Sequence, residues 1–352
     1  MKKHNFSAGP SVLPQEVLKK ASEAIVDFQG LGLSLIEISH RSKEFIAVMD
    51  KAQALVKELL ALPEGYSVLF VQGGASTEFV MAPYNLMKIG GKAAYLDTGS
   101  WSSKAIKEAK IFGDTVVVAS SKDKGYNYIP KGYDVPKDAD YIHFTSNNTI
   151  FGTQLNEFPG DTLKVVDMSS DIFSRTLDYS QFDVVYAGAQ KNMGPAGTTL
   201  VIVKDEILGK SGRQIPSMLD YQIHADKGSM FNTPPVFAVY VSMLTLEWLK
   251  ENGGVTGIEK ANEEKAALLY AEIDNNPSFV GFAAKEDRSK MNVTFNLTDA
   301  SLKEKFDSLC VAAGISALNG HRSVGGYRAS IYNALPLESV NVLIKAMQDL
   351  NK

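Results

Sequence analysis

Cysteine is almost missing: among 352 residues there is one, Cys310. The chain can therefore form no intramolecular disulfide, which fits a reducing compartment. Leu309 and Val311 flank it, and that setting predicts a buried helical thiol of no special reactivity. Long apolar runs are also missing. No stretch of about 18 apolar residues occurs, so no membrane span is expected. The opening MKKHNFSAGPSVLP has lysines but no apolar segment behind them, and does not read as a signal peptide. Positive charge is not in excess: the formal net charge is −4, and the lysine pairs at 2–3 and 19–20 stand alone. Generic nucleic-acid binding needs a basic field or a dense basic patch, and neither is present. The five histidines are scattered, with no H-x-x-x-H pair and no CxxC, so no metal site is expected. There is no G-x-S-x-G elbow, no Walker loop and no G-x-G-x-x-G fingerprint. Repeats and low-complexity tracts are absent. The expectation is a cytoplasmic protein with no nucleic-acid, membrane or metal partner.

What is present is an alternation of helices and short apolar strands. The length suits about two domains at roughly 150 residues each. Hydrophobic residues make up 45% and charged residues 22%, enough for a sizeable core. Amphipathic helices are predicted at 14–28 and 43–61. Strands follow at 67–72, 93–97, 114–119, 141–146, 163–169, 182–189 and 198–204, with helices at 77–88 and 102–112 between them. Runs such as SVLFVQ and FDVVYAGA lack strict alternation, which suggests a sheet covered on both faces. The pattern predicts an α/β fold with a mainly parallel central sheet flanked by helices. Near residue 253 the character changes. Helices at 236–250 and 256–274 lead into a strand at 292–298, a helix at 300–313, a strand at 327–331 and a last helix at 336–350. A smaller α+β domain is expected there.

Several residues could carry chemistry. Lys191, in YAGAQKNMGPAG, lies between two apolar strands among small residues. Ligands of open α/β sheets sit at strand ends, and an amine in an apolar pocket stays nucleophilic, as a Schiff-base lysine must. A solvated loop lysine is the ordinary alternative. Asp167 ends the strand LKVVD and could pair with a pyridinium nitrogen, keeping a ring protonated; alternatively it caps the next turn through Ser169 or Ser170. GGAST at 73–77 lies between a strand and a helix, where glycines and free N–H groups suit a phosphate. Trp101, in a loop after a strand, could stack on a planar ring or fill the core. His40 and Arg41, His321 and Arg322, and Arg328 lie in loops or before a strand. Their guanidinium forks would suit a multiply charged anion.

Four blocks in order, ISHRSKEF, YAGAQKNMGPAG, GSMFNTPP and GHRSVGGYRASIYNA, resemble the phosphoserine aminotransferases, a family of fold-type-I pyridoxal-phosphate transferases of aminotransferase class V. The likeness runs from NFSAGPSVLP to YRASIYNALPLESV, nearly the whole chain. It implies a large cofactor-binding domain at 15–253 and a small domain made of 1–14 and 254–352. It implies pyridoxal 5'-phosphate bound covalently by Lys191, with Asp167 at the pyridine nitrogen and Trp101 stacked on the ring. Ala75, Ser76 and Gln190 would hold the cofactor phosphate, and Thr149 would lie on the ring-hydroxyl side. Asn232 and Thr233 would reach the cofactor of a second subunit, so a homodimer with shared sites is implied. Arg328 would bind the substrate α-carboxylate; His40, Arg41, His321 and Arg322 would bind its phosphate. Some members carry arginine where this chain has Ser76, so the phosphate contacts there would differ.

The resemblance implies transamination of 3-phosphohydroxypyruvate with L-glutamate to O-phospho-L-serine and 2-oxoglutarate, in serine biosynthesis. It also implies the analogous conversion of 3-hydroxy-2-oxo-4-phosphonooxybutanoate to 4-phosphohydroxy-L-threonine, in pyridoxine biosynthesis. Three readings compete. Another class V enzyme, such as an alanine–glyoxylate aminotransferase or a cysteine desulfurase, shares the fold, but a desulfurase needs a mobile-loop cysteine and Cys310 is predicted to be helical. A cofactor-free lysine aldolase would not need Asp167, GGAST or Trp101. A non-catalytic phosphate-ligand binding protein is the third.

Overall fold

A computed structural model describes residues 3–352. The chain begins with a two-residue strand, β1 (His4–Asn5), then helices α1 (Gln15–Val26) and α2 (Lys43–Leu59). Alternation follows: β2 (Tyr66–Val71), α3 (Gly74–Leu86), β3 (Lys92–Asp97), α4 (Ser100–Ala109), β4 (Asp114–Ser120) and β5 (Tyr141–Thr145). A small hairpin, β6 (Asn147–Asn148) and β7 (Thr153–Gln154), precedes β8 (Leu163–Asp167), β9 (Val184–Gly188) and β10 (Thr199–Lys204). Next come α5 (Tyr221–Asp226), α6 (Val236–Glu251) and α7 (Gly254–Asn275). The chain ends with β11 (Phe279–Gly281), β12 (Asn292–Leu297), α8 (Lys303–Ala312), β13 (Ile315–Ser316), β14 (Tyr327–Ser330) and α9 (Leu337–Asp349).

The seven apolar runs expected as strands join in one sheet of order β2-β10-β9-β8-β5-β3-β4. Only β10 runs against its neighbours, β2 and β9; the remaining pairings are parallel. Both faces are covered except along the edge strand β4, as the unbroken apolar runs of the inner strands predict. One face packs Phe70, Phe144, Val166 and Ala187 against α1, α2 and α6. The other packs Val165, Tyr186 and Val201 against α3 and α4. A third core, with Phe279, Phe295, Phe306 and Met347, lies under α7, α8 and α9 and takes in Phe6 from the start of the chain. Cys310 lies in α8 and is buried, as its neighbours predict.

Two boundaries differ from expectation, and both bear on the site. The helix expected from 77 starts at Gly74, because Gly73 takes up a left-handed φ of 99° and turns the chain directly into the first helical residue. The helix expected from 102 starts at Ser100, so Trp101 stands in a first helical turn and not in a loop. The two-residue strands β1 and β13, which pair in parallel, are too short for periodicity to reveal.

Candidate active site

Strands β8 and β9 are parallel neighbours, and Asp167 stands opposite Tyr186 in their register. The chain leaves β9 at Gly188 and reaches Lys191 three residues later. The start of the chain crosses this turn: Ser11 N donates to the Gln190 carbonyl at 2.9 Å, and the Ser11 hydroxyl donates to the Lys191 carbonyl. Asn192 Nδ2 donates to the Ile172 carbonyl at 3.0 Å, so the segment is tied on both sides. These contacts fix the backbone that presents Lys191.

Lys191, Asp167, Ala75, Ser76, Trp101, Thr149, Gln190, His321 and Arg328 all line one cavity of about 410 Å³. The spacing of these residues along the chain gives no hint of that meeting; the strand ends produce it. Burial lowers the Lys191 amine to about 8, against the opposing pull of Asp167 and with added push from Arg328. The amine is therefore half neutral near pH 8, well below the range of an ordinary lysine, which supplies the neutral form a nucleophile requires. Asp167 is buried, and desolvation raises its carboxyl, while Ser169 and Lys191 pull it back down. Its Oδ1 accepts from Ser169 N at 2.9 Å, so the turn-capping role weighed for this residue is present too.

The GGAST segment supplies the opposite wall. A Cβ on Gly73 would stand 1.8 Å from Thr77 Oγ1, so the tight turn has room only for glycine. The turn presents the first N–H groups of α3 at the cavity, and such groups have no partner within their helix. A second turn is held from below. Asp97 accepts from the hydroxyls of Ser102, Ser103 and Ser120, and Ser102 Oγ accepts from Thr98 N and Gly99 N at 3.0 Å. This clamp sets the first turn of α4 and with it the Trp101 ring. Trp101 Nε1 donates to Thr149 Oγ1 at 3.0 Å, and the Lys191 amine lies 5.6 Å from the ring centroid. Thr149 is buried in the β6–β7 turn, and Arg328 on β14 donates to its carbonyl at 3.0 Å.

Not every expected residue joins the cavity. His40, Arg41, Arg322, Asn232 and Thr233 are not among its lining residues. Arg41 and Arg322 are exposed. Arg322 acts on the site at a distance: with burial first, the charges of Arg328, Arg322 and Lys104 lower His321. Thr233 meets the residue just before the glycine turn, since its carbonyl accepts from Gln72 Nε2 at 3.0 Å. Sequence reading missed Lys104, whose ammonium lies over Trp101 at 4.4 Å from the ring centroid; its i+3 spacing from Trp101 on a helix was the available signal. It also missed Gly9, Asn147 and Ser170 as walls of the cavity, although Gly9 lies in the NFSAGPSVLP stretch and Ser170 follows closely on Asp167.

A ring-and-phosphate cofactor fits these walls: a flat face at Trp101, an acid at a strand tip, an amine with lowered affinity for protons, and a helix N-terminus behind a glycine turn. Fold and site together define a fold-type-I, pyridoxal-phosphate-dependent transferase.

Comparison with known proteins narrows the class. A family model described as aminotransferase class-V matches residues 3–343. A phosphoserine aminotransferase of Flavobacterium johnsoniae is 68% identical over 99% of each chain, and one of Bacteroides thetaiotaomicron is 57% identical over 100% of this chain and 99% of its own. The solved phosphoserine aminotransferase of Bacillus circulans subsp. alkalophilus superimposes with a TM-score of 0.96 at 46% identity, covering 99% of this chain and 98% of that one. A solved phosphoserine aminotransferase of Trichomonas vaginalis with pyridoxal phosphate bound gives 0.94 at 35% identity, covering 99% of this chain and 100% of that one. The chain belongs to the class-V aminotransferase family and, within it, to the phosphoserine aminotransferases.

Proposed function

We propose that this protein transfers the amino group of L-glutamate to 3-phosphohydroxypyruvate, giving O-phospho-L-serine and 2-oxoglutarate, and that Lys191 and Asp167 are its catalytic residues. The observation that carries the reading is the convergence of Lys191, Asp167, Arg328 and His321 on one cavity in a chain of this family. The same site takes the longer 3-hydroxy-2-oxo-4-phosphonooxybutanoate, which keeps the carboxylate, the keto group and the phosphate.

Bound pyridoxal phosphate supplies an aldehyde that carries the amino group and a ring that disperses charge at the substrate α-carbon. The protein supplies the rest. Lys191 would hold the cofactor aldehyde through its neutral amine, and its free Nζ, facing the same cavity as Asp167 and Arg328, would move the proton of the substrate α-carbon. Asp167 holds a proton at the ring nitrogen. Ala75, Ser76 and Gln190 hold the cofactor phosphate with the α3 N-terminus, and Thr149 orients the ring. Arg328, already positioned by the Thr149 carbonyl, pairs with the substrate α-carboxylate. His321 and Arg322 receive the substrate phosphate.

The homodimer belongs to this reading. Asn232 and Thr233 reach the partner's cofactor, and His40 and Arg41 its substrate. Exposed apolar side chains in the same two segments, Leu31, Leu33 and Ile36 with Phe231 and Phe237, support a face covered by a second copy. Residues 15–253 act as the large domain and 1–14 with 254–352 as the small one; the packing of Phe6 and Val12 with the C-terminal core supports that division. No helix among the described residues is long and apolar enough to cross a membrane, and the cytoplasm is the proposed compartment.

The test is the visible absorbance of the purified holoprotein on addition of O-phospho-L-serine or L-alanine. Phosphoserine should discharge the band and alanine far less. Equal discharge by both would sink the substrate assignment and favour an alanine-type class V enzyme. Absence of any band with added cofactor would sink the catalytic assignment itself.

A further inference from the structure

Behind the glycine turn, one helical turn into α3, lies a carboxyl group that the reaction does not use. Glu78 is fully buried. Its Oε2 accepts from the Tyr221 hydroxyl at 2.6 Å, and its Oε1 has no partner among the described residues. The groups that act on it are Tyr221 and Asp167; no cation is among them. A buried carboxylate with one neutral donor and no counter-charge is strongly disfavoured, so the resting form is the acid. Burial, reinforced by the negative charge of Asp167, pushes this carboxyl up to about 8.

Apart from the Tyr221 hydroxyl, no group among the described residues offsets a charge at Glu78. Tyr221 faces it from α5, and Asp167 acts on it from β8. Tyr186 on β9 has its hydroxyl raised by burial and by Asp167, Tyr95, Glu78 and Tyr221. That hydroxyl bonds His143 Nε2 on β5 at 2.7 Å, and burial drives His143 down to about 3, so the imidazole is neutral. On α4, packed beside α3, Lys104 is engaged with the Trp101 ring. The floor beneath the turn is thus made of neutral and acidic groups.

Glu78 shares its helix with the turn at 73–77. A phosphate dianion there is drawn by the helix N-terminus and opposed by any carboxylate one turn below it in a medium of low dielectric. We propose that Glu78 is a positioning residue for the cofactor: as the neutral acid it lets the first turn of α3 hold the phosphate dianion, and its ionisation weakens that hold. The inference rests on the reading that residues 73–77 receive the cofactor phosphate.

Pyridoxal phosphate bound without a covalent link is the probe, read by tryptophan fluorescence in Lys191→Ala and in Lys191→Ala/Glu78→Gln between about pH 6.5 and 9.5. Removing Lys191 eliminates its own titration, and protonation of the ring is common to both proteins, so the ratio of their dissociation constants isolates Glu78. The ratio should be near unity at the acid end. At the alkaline end the double variant should bind more tightly by on the order of tenfold. A ratio that stays constant across the range overturns the proposal. Lys191→Ala/Tyr221→Phe gives a second reading, because Tyr221 is the donor that favours the charged form. The weakening should then begin at higher pH, and an unmoved onset also overturns the proposal. If Lys191→Ala binds the cofactor at no pH, the phosphate-turn reading itself fails, and the role of Glu78 falls with it.

Discussion

Trp101 and Thr149 are joined by one hydrogen bond, from the indole Nε1 to Oγ1 at 3.0 Å, and that bond ties the start of α4 to the β6–β7 turn. The two residues come from different strand ends, and each has a second tie. Trp101 rides on the Asp97 clamp, and Thr149 accepts from Arg328 through its carbonyl. The aromatic wall of the cavity and its arginine are therefore aligned through one threonine. Trp101→Phe keeps the ring and loses the donor, and Thr149→Val loses the acceptor. Each should lower kcat/KM for phosphoserine by roughly two- to tenfold, the worth of one hydrogen bond. The double variant should be no worse than the more damaged single, because both remove the same bond. Steady-state kinetics on the four proteins decides; additive losses would mean the bond does not couple them.

The Lys191 amine gives a pH prediction with a definite sign. Burial lowers it to about 8, so it is protonated below that value and nucleophilic above it. The rate at which the apoprotein captures pyridoxal phosphate should rise with pH through about 8 and then level off. Stopped-flow absorbance measures it. A rate that still climbs with the ordinary lysine ionisation near 10 would show that the pocket does not tune this amine. Lys191→Ala should show no covalent capture and no turnover.

Arg328 and the pair His321–Arg322 should separate by substrate. The α-carboxylate is common to glutamate and phosphoserine, whereas only one of them carries phosphate. Arg328→Ala should lower kcat/KM for both by about a hundredfold or more, since a buried anionic partner is left unpaired. Arg322→Ala should leave glutamate nearly unchanged and weaken phosphoserine by raising its KM. The two half-reactions, followed separately by absorbance, test this; equal loss for both substrates in Arg322→Ala would remove it from phosphate recognition.

Glu78 should also mark folding stability. In the unfolded chain it ionises in the ordinary glutamate range, and in the folded protein only near 8. Between those values only the unfolded state gains by ionising, so the native protein loses stability as pH rises. Glu78→Gln removes that loss. The stability gap between variant and parent should widen by about 1.4 kcal/mol per pH unit across the window and level off above 8. Denaturant midpoints at several pH values measure it, and a gap independent of pH would mean Glu78 is charged in the native protein.

Gly73 should tolerate nothing larger. Its φ of 99° is left-handed, and an added Cβ would meet Thr77 Oγ1 at 1.8 Å. Gly73→Ala should destabilise the protein by about 1–3 kcal/mol and weaken cofactor retention together. Melting curves with and without pyridoxal phosphate report both; loss of stability with retention intact would separate the turn from the phosphate.

Much of this protein is legible in its order of residues. Unbroken β-branched runs dictate a sheet buried on both faces, and all seven runs in the first 204 residues do enter one sheet. Lys191 stands out among glycines and alanines, and Asp167 ends an apolar strand, because strand ends are where such sheets open. The blocks around ISHRSKEF and GHRSVGGYRASIYNA mark the family. Other features depend on contacts between distant segments and have no local signature. The helical setting of Trp101 comes from the Asp97 clamp, and the Thr149 link to Arg328 joins residues 179 positions apart. The strand β1 exists only because β13 lies beside it. Sequence by itself determined which residues are apolar enough to build the sheet and which polar ones interrupt it. Tertiary structure alone decided which of those interruptions meet, and through burial it set the charges of Lys191, Asp167 and Glu78, because a group's affinity for its proton depends on the solvent and neighbours that folding removes or supplies.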